Sequence, residues 1–160
     1  MPRRLHGFLQ PEMVGEDTTE RTTVSLTTVD LSTITMPRVA VTRWISVRGA
    51  YRKSAGAAAA VSLGLKVNAT QVFANTVASG AGNEAGQGVF EFMIPPQEAN
   101  YLQAGVAWTI FHNGTTAPAE YFPDPDTNAP AVAVTSIVVT GLSGSASVTL
   151  AIKNVQVYVL

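Results

Sequence analysis

Apolar and polar residues alternate at every second position through most of this chain, and that period belongs to strands, whose successive side chains face opposite ways. The closing stretch shows it best. In Ala146–Leu160 (ASVTLAIKNVQVYVL), Val148, Leu150 and Ile152 share one phase, and Val155, Val157 and Val159 share the other. The slip falls at Lys153-Asn154, where a bulge or a turn is expected. Both one bulged strand and two separate strands fit the pattern.

The same period recurs upstream. Thr22–Val29 (TTVSLTTV) puts Val24 and Leu26 on one face. Val39–Tyr51 (VAVTRWISVRGAY) reads as one long strand with Val39, Val41, Arg43, Ile45 and Val47 on one side and Trp44 on the other. Ala59–Val67 turns Val61, Leu63, Leu65 and Val67 inward, and Gln71–Val77 follows as a further strand. Gly88–Ile94 (GVFEFMI) alternates Phe90, Phe92 and Ile94 with a solvent-facing Glu91. Val106–His112 runs into Asn113-Gly114, a strong hairpin signal because both residues tolerate positive φ. Ala131–Leu142 is Val-rich and β-branched. Breakers rich in Gly, Pro, Asn and Ser separate these runs, at 54–56, 79–88, 117–130 and 141–145. Helical periodicity is nearly absent. The pattern predicts an all-β, antiparallel two-sheet sandwich of jelly-roll type with about eight strands. It occupies residues 22–160, and the chain of 160 residues is long enough for one domain with a real core.

Residues 1–21 break the pattern and are expected to form an extended N-terminal arm. Pro2, Gly7, Pro11 and Gly15 punctuate it, with apolar residues spread between them. Arg3, Arg4, Leu5, Phe8, Leu9 and Met13 are its candidate contacts with a neighbouring subunit. The alternative is an edge segment packed along its own domain. The opening MPRRLHGFLQPEM carries arginines without the apolar stretch of a signal peptide, so none is expected. No run approaches the length of a membrane span, so no membrane partner is expected either.

Charged residues make up only 13% of the chain, about half the usual share, against 46% hydrophobic residues. Such a surface is either neutral and solvated or covered by other subunits. The net charge is −1. Eight of the ten basic residues fall in the first third (Arg3, Arg4, Arg21, Arg38, Arg43, Arg48, Arg52, Lys53), but Glu12, Glu16, Asp17, Glu20 and Asp30 are mixed among them. With no polybasic run, nucleic acid is not an expected partner.

The residues for chemistry are sparse. There is no Cys, which removes disulfides, Cys-ligated zinc and thiol catalysis together. His6 and His112 are the two histidines, and His112 reads as a turn residue before Asn113-Gly114. Residues 141–145 (GLSGS) lack the final Gly of a nucleophile elbow and join two strands rather than a strand and a helix. Residues 80–86 (GAGNEAG) lack phosphate-loop spacing. Asp124-Pro125-Asp126-Thr127-Asn128 opens like a calcium loop, but Ala129 and Thr135 occupy the positions of the required Gly and Glu. Glu91 and Glu98 have no spacing that would pair them for glycoside hydrolysis. The sequons at Asn68 and Asn113 matter only in a secreted eukaryotic protein. No catalytic residue, cofactor or metal is therefore expected, and the chain reads as a non-enzyme. Trp44, Tyr101, Trp108 and Tyr121 are candidates for an aromatic ligand platform, each also a candidate for core or interface.

The stretch Trp44–Leu65 (WISVRGAYRKSAGAAAAVSLGL), the strand Gly88–Ile94 and the closing Val148–Val159 (VTLAIKNVQVYV) resemble jelly-roll modules of the carbohydrate-binding type. Neutral versions rich in Ala, Gly, Thr and Val are similar to structural proteins of tailed bacteriophages: head decoration proteins, head fibres, and tail or baseplate adhesins. The resemblance covers roughly residues 22–160 and rests on strand texture. It implies a virion structural protein, assembled in the host cytoplasm, that oligomerises (a trimer is favoured) and docks on other virion proteins through the N-terminal arm. A carbohydrate- or receptor-binding module is the alternative it implies.

Overall fold

The computed structural model describes residues 11–40, 43–56, 61–78, 85–94, 96, 107–112, 119–121 and 133–160. Their regular structure is eleven strands. These are β1 (Glu12–Asp17), β2 (Arg21–Thr23), β3 (Val29–Val39), β4 (Ile45–Lys53), β5 (Val61–Val67), β6 (Thr70–Ala78), β7 (Gly86–Ile94), β8 (Ala107–His112), β9 (Ala119–Tyr121), β10 (Val134–Ser143) and β11 (Leu150–Val159).

The larger sheet has seven strands in the order β1-β11-β4-β7-β8-β9, with β2 also on β11. The smaller one has four, in the order β3-β10-β5-β6. All pairings are antiparallel. β1 and β2 lie end to end along β11, against Val155–Val159 and Leu150–Ile152. Counted as one lane, with β8 and β9 as an added pair at the edge, they leave four lanes in each sheet. The last two strands return between early ones: β10 between β3 and β5, β11 between β1 and β4. That double return is the two-Greek-key order of a jelly roll.

The expected alternation builds the core. Val61, Leu63, Leu65 and Val67 are at most 2% exposed. Phe90 and Phe92 face the same interior with ring centroids 5.2 Å apart. Gly49 makes room for them: a Cβ there would come within 2.5 Å of the Phe90 ring. The phase slip in the last stretch is a bulge within one continuous strand. The β4–β11 register jumps between Lys153 and Gln156, and Asn154 takes a φ of 54°. The bulge lets Ile152 and Val155 both reach the core, each 1% exposed.

The structure departs from the sequence pattern in four places. Thr22–Val29 is not one strand: β2 ends at Thr23, and Val24 and Leu26 are 51% and 61% exposed. Local bonds compete with the ladder there. The Ser25 amide donates to Thr23 Oγ1 (2.9 Å) and the Ser25 hydroxyl donates to the Thr27 carbonyl (2.8 Å). Val39–Tyr51 is likewise two strands. Val39 closes β3 and Ile45 opens β4, while Arg43, expected on one side with Val39 and Ile45, donates through Nε to the Leu160 carbonyl. β3 itself was not expected. It lies at the edge of its sheet, and its register slips between Thr35 and Val39, which leaves Pro37 out of the ladder. Finally, Glu12–Asp17 of the expected arm is an edge strand of its own domain, as the alternative had it. Residues 1–10, with Arg3, Arg4, Leu5, Phe8 and Leu9, lie outside the described residues.

Candidate functional site

Antiparallel partners share a face, so the register sorts the side chains of the larger sheet. Ile45, Val47, Gly49, Tyr51 and Lys53 of β4 point inward. Ser46, Arg48, Ala50 and Arg52 point outward, beside Met93, Glu91, Val89 and Gln87 of β7. On the other side, Ser46 and Arg48 are partnered by Tyr158 and Gln156 of β11, and Tyr158 in turn by Met13 of β1.

Charge-assisted hydrogen bonds organise this outer face. Arg48 Nε donates to Glu91 Oε1 at 2.8 Å and lies 3.1 Å from the Ser46 hydroxyl. The Ser46 hydroxyl, fully buried, donates to the same carboxylate oxygen at 2.8 Å. The Arg48 guanidinium sits 5.4 Å from the centre of the Tyr158 ring, within cation–π range. The Tyr158 hydroxyl donates to Gln156 Oε1 at 3.0 Å. Glu91 faces outward, as its alternation suggested, and its carboxylate is already committed to two donors. Beside this chain of bonds lies a hollow of about 560 Å³ with Ala50 and Gly49 in its floor, and Val89, Asn154 and Gln156 at its sides. Val89 is half exposed. The arrangement offers fixed donors and acceptors beside small apolar surface, which suits recognition of a neutral polar partner or of a protein surface.

The structure distributes the sequence candidates unevenly. Trp44 is 43% exposed and sits two residues before Ser46, with its carbonyl accepting from the Leu160 amide. Met13 is 49% exposed. Trp44, a candidate for a ligand platform, and Met13, a candidate arm contact, thus share one face with Tyr158. Trp108 is registered opposite Phe92 on one side and Tyr121 on the other. The structure so brings two platform candidates side by side in the ladder, at a lane position whose β7 member is fully buried. Tyr101, Glu98, Asn113, Asp124 and Asp126 lie outside the described residues. Sequence reading missed Arg48, Ser46, Gln156 and Tyr158, because only the register joins β4, β7 and β11. Parity along β4 would have found two of them.

Other polar side chains work within the fold. Asp17 accepts from the Thr19 amide (3.0 Å), the Ser32 hydroxyl (2.9 Å) and Arg21 Nε (3.2 Å). Burial pushes its carboxyl up, but these donors and the Arg21 charge outweigh it, so its pKa lies below the usual value. Ser143, in the stretch tested as a nucleophile elbow, is buried with its hydroxyl 2.7 Å and 2.6 Å from the Ser145 and Val148 carbonyls. Asn68, in a sequon, donates through Nδ2 to the Ala133 carbonyl and accepts through Oδ1 from the Thr135 amide, both at 2.9 Å. Among the described residues no group of three or more His, Asp or Glu side chains could hold a metal ion.

No protein-family model matches the chain, and no curated protein matches it in sequence. Solved structures give distant likenesses. The Emp46p carbohydrate recognition domain in its potassium-bound form is 7% identical at a TM-score of 0.41, over 78% of this chain and 76% of that one. A chain of T=1 particles derived from infectious bursal virus is 10% identical at 0.43, over 94% of this chain and 31% of that one. The binding domain of Botulinum neurotoxin DC, in complex with rat synaptotagmin II, is 8% identical at 0.39, over 93% and 43%. The chain thus spans less than half of the latter two. The class of protein is set by the strand order described above: a two-sheet antiparallel jelly roll.

Proposed function

We propose that this chain is a non-enzymatic virion structural subunit, a decoration, fibre or attachment protein, that works through the outer face of its larger sheet. The observation that carries the reading is that face itself. Met13, Trp44 and Val89 are exposed there beside an Arg48–Glu91–Ser46 arrangement that is already fixed before any partner arrives. Preorganised donors and exposed apolar side chains on one flat face favour docking, because little order remains to be imposed on binding. A surface with so few charges fits burial against other copies around a closed axis, with a trimer favoured. Arg3, Arg4, Leu5, Phe8 and Leu9 would then attach the subunit to other virion proteins in the host cytoplasm.

Light scattering on the eluting full chain tests this. The expected result is a trimer at high micromolar concentration that falls to monomer in a Trp44→Lys, Val89→Lys double variant. A wild-type monomer at that concentration overturns the oligomer. The hollow beside Gln156 and Asn154 favours a second reading, a carbohydrate- or receptor-binding module. Glycan-array binding that Gln156→Ala abolishes would select it, and an empty array would set it aside.

A further inference from the structure

Lys53 closes β4 in the inward phase, in register with Gly86 on one side and Leu150 on the other. It is 3% exposed. None of the ion pairs among the described residues includes it. An ammonium taken out of water without a counter-charge is expensive, and proteins normally pair it or leave it a polar space. Here the space exists. Gly86, its neighbour across the ladder, contributes no side chain, and a cavity of about 500 Å³ opens at this end of the sandwich. Arg52, Lys53, Ser54, Gln87 and Thr149 are among the residues that line it. The Ser54 hydroxyl accepts from the Thr149 amide at 2.9 Å, which fixes the oxygen and leaves its proton to donate. The described lining holds two cationic residues and no carboxylate. Arg52 points to the outer face and is paired with Glu20, so the unpaired charge facing the cavity is that of Lys53.

We propose that this cavity is an oxyanion-binding site, in which Lys53 Nζ supplies the charge and the Ser54 and Thr149 hydroxyls supply hydrogen bonds. The ligand chemistry is a carboxylate or phosphate small enough for the cavity, either the acid group of an acidic saccharide or free inorganic phosphate. Arg52 and Gln87 of the outer face also line this cavity, but the outer-face reading rests on Met13, Trp44, Val89 and the Arg48 arrangement, so neither reading depends on the other.

The test uses the full chain in buffers of matched ionic strength containing chloride, phosphate or D-glucuronate, with glucose as the uncharged control. Thermal unfolding and calorimetric titration are the readouts. Glucuronate or phosphate should raise the melting temperature above chloride, with glucose inert. A response to glucuronate identifies an acidic saccharide as the source, and a response to phosphate alone identifies the inorganic ion. Lys53→Met, which keeps the unbranched stem, should weaken binding at least about tenfold. Arg38→Gln, on exposed β3 of the other sheet, should leave binding within about twofold. Phosphate also stabilises proteins by exclusion from their surface, so a phosphate response that survives Lys53→Met overturns the site. A wild type that answers both anions no better than chloride overturns it too, whether or not Lys53→Met folds.

Discussion

The hairpin between β5 and β6 is closed by Asn68 and Ala69 alone, since Val67 and Thr70 are register partners. Both loop residues have positive φ, 49° and 69°. Two-residue hairpins favour this geometry because its twist matches that of the strands, and Asn-Gly is the pair that adopts it most readily. Alanine does not. Its Cβ in the left-handed region costs roughly 1–2 kcal/mol. Replacing it with glycine removes that strain but loosens the unfolded chain by roughly 0.5–1 kcal/mol. Ala69→Gly should therefore stabilise the protein by about 0.5–1 kcal/mol. For a chain of 160 residues that is a rise in melting temperature of about 1.5–3 °C. Thermal unfolding by circular dichroism gives the shift, and urea titration shows whether the m-value is unchanged, as it must be if only stability moves. Ala69→Val, which is β-branched, should move the other way. A glycine variant equal to or less stable than wild type, at unchanged m, would refute the strain argument at this turn.

Further expectations rest on single side chains. Asn68→Asp replaces the Nδ2 donor to Ala133 with a carboxylate facing a carbonyl, so it should cost roughly 1–3 kcal/mol at neutral pH and recover part of that in acid. The Asp17 carboxyl has its pKa lowered in the folded state, so its contribution is present above about pH 4 and lost as pH falls through the folded value. Asp17→Asn should be less stable than wild type near neutrality, and the gap should close in acid melts. Burial pushes the Tyr51 phenol up to about 12. Its contribution is complete below about pH 10, where the unfolded phenol is neutral, and lost as pH rises through 12. Wild type should accordingly lose stability across that alkaline window, and Tyr51→Phe should flatten the loss. Gly49→Ala should cost roughly 1–3 kcal/mol, because the added methyl meets the packed Phe90 ring; a neutral result in urea titration would mean the ring can yield.

The strands legible in the sequence are those with one dry face and one wet face. β5, β7 and β11 alternate because one face of each packs against the opposite sheet, and the slip at Lys153-Asn154 located the irregularity that is a bulge, where a turn also fitted the pattern. β3 was illegible because it lies at a sheet edge. Its inward positions include Ser32 beside Ile34 and Met36, and Pro37 argues locally against any strand. Val24 and Leu26 misled in the opposite sense, since alternation alone does not reveal that Ser25 bends the chain. The outer face was half legible. Exposure of Trp44 followed from its phase, but the partners of Glu91 lie more than forty residues away and meet it only through the register of β4 on β7. Lys53 was within reach, because continuing the inward phase of Val47 by two-residue steps arrives at it.

The lane formed by β1 and β11 has a mechanical consequence. Glu12 is opposite Val159 and Asp17 is opposite Val155, so the outer ends of the two strands lie at the same end of the sandwich. A load drawn through residues 11 and 160 would open this pair like a zipper, one hydrogen-bonded step at a time, instead of sliding all steps at once. Val14 already interrupts the ladder between Met13 and Gly15, so little force would be needed to reach the interruption. Pulled from those two points, the fold would release β1 first and leave β11 held by β4.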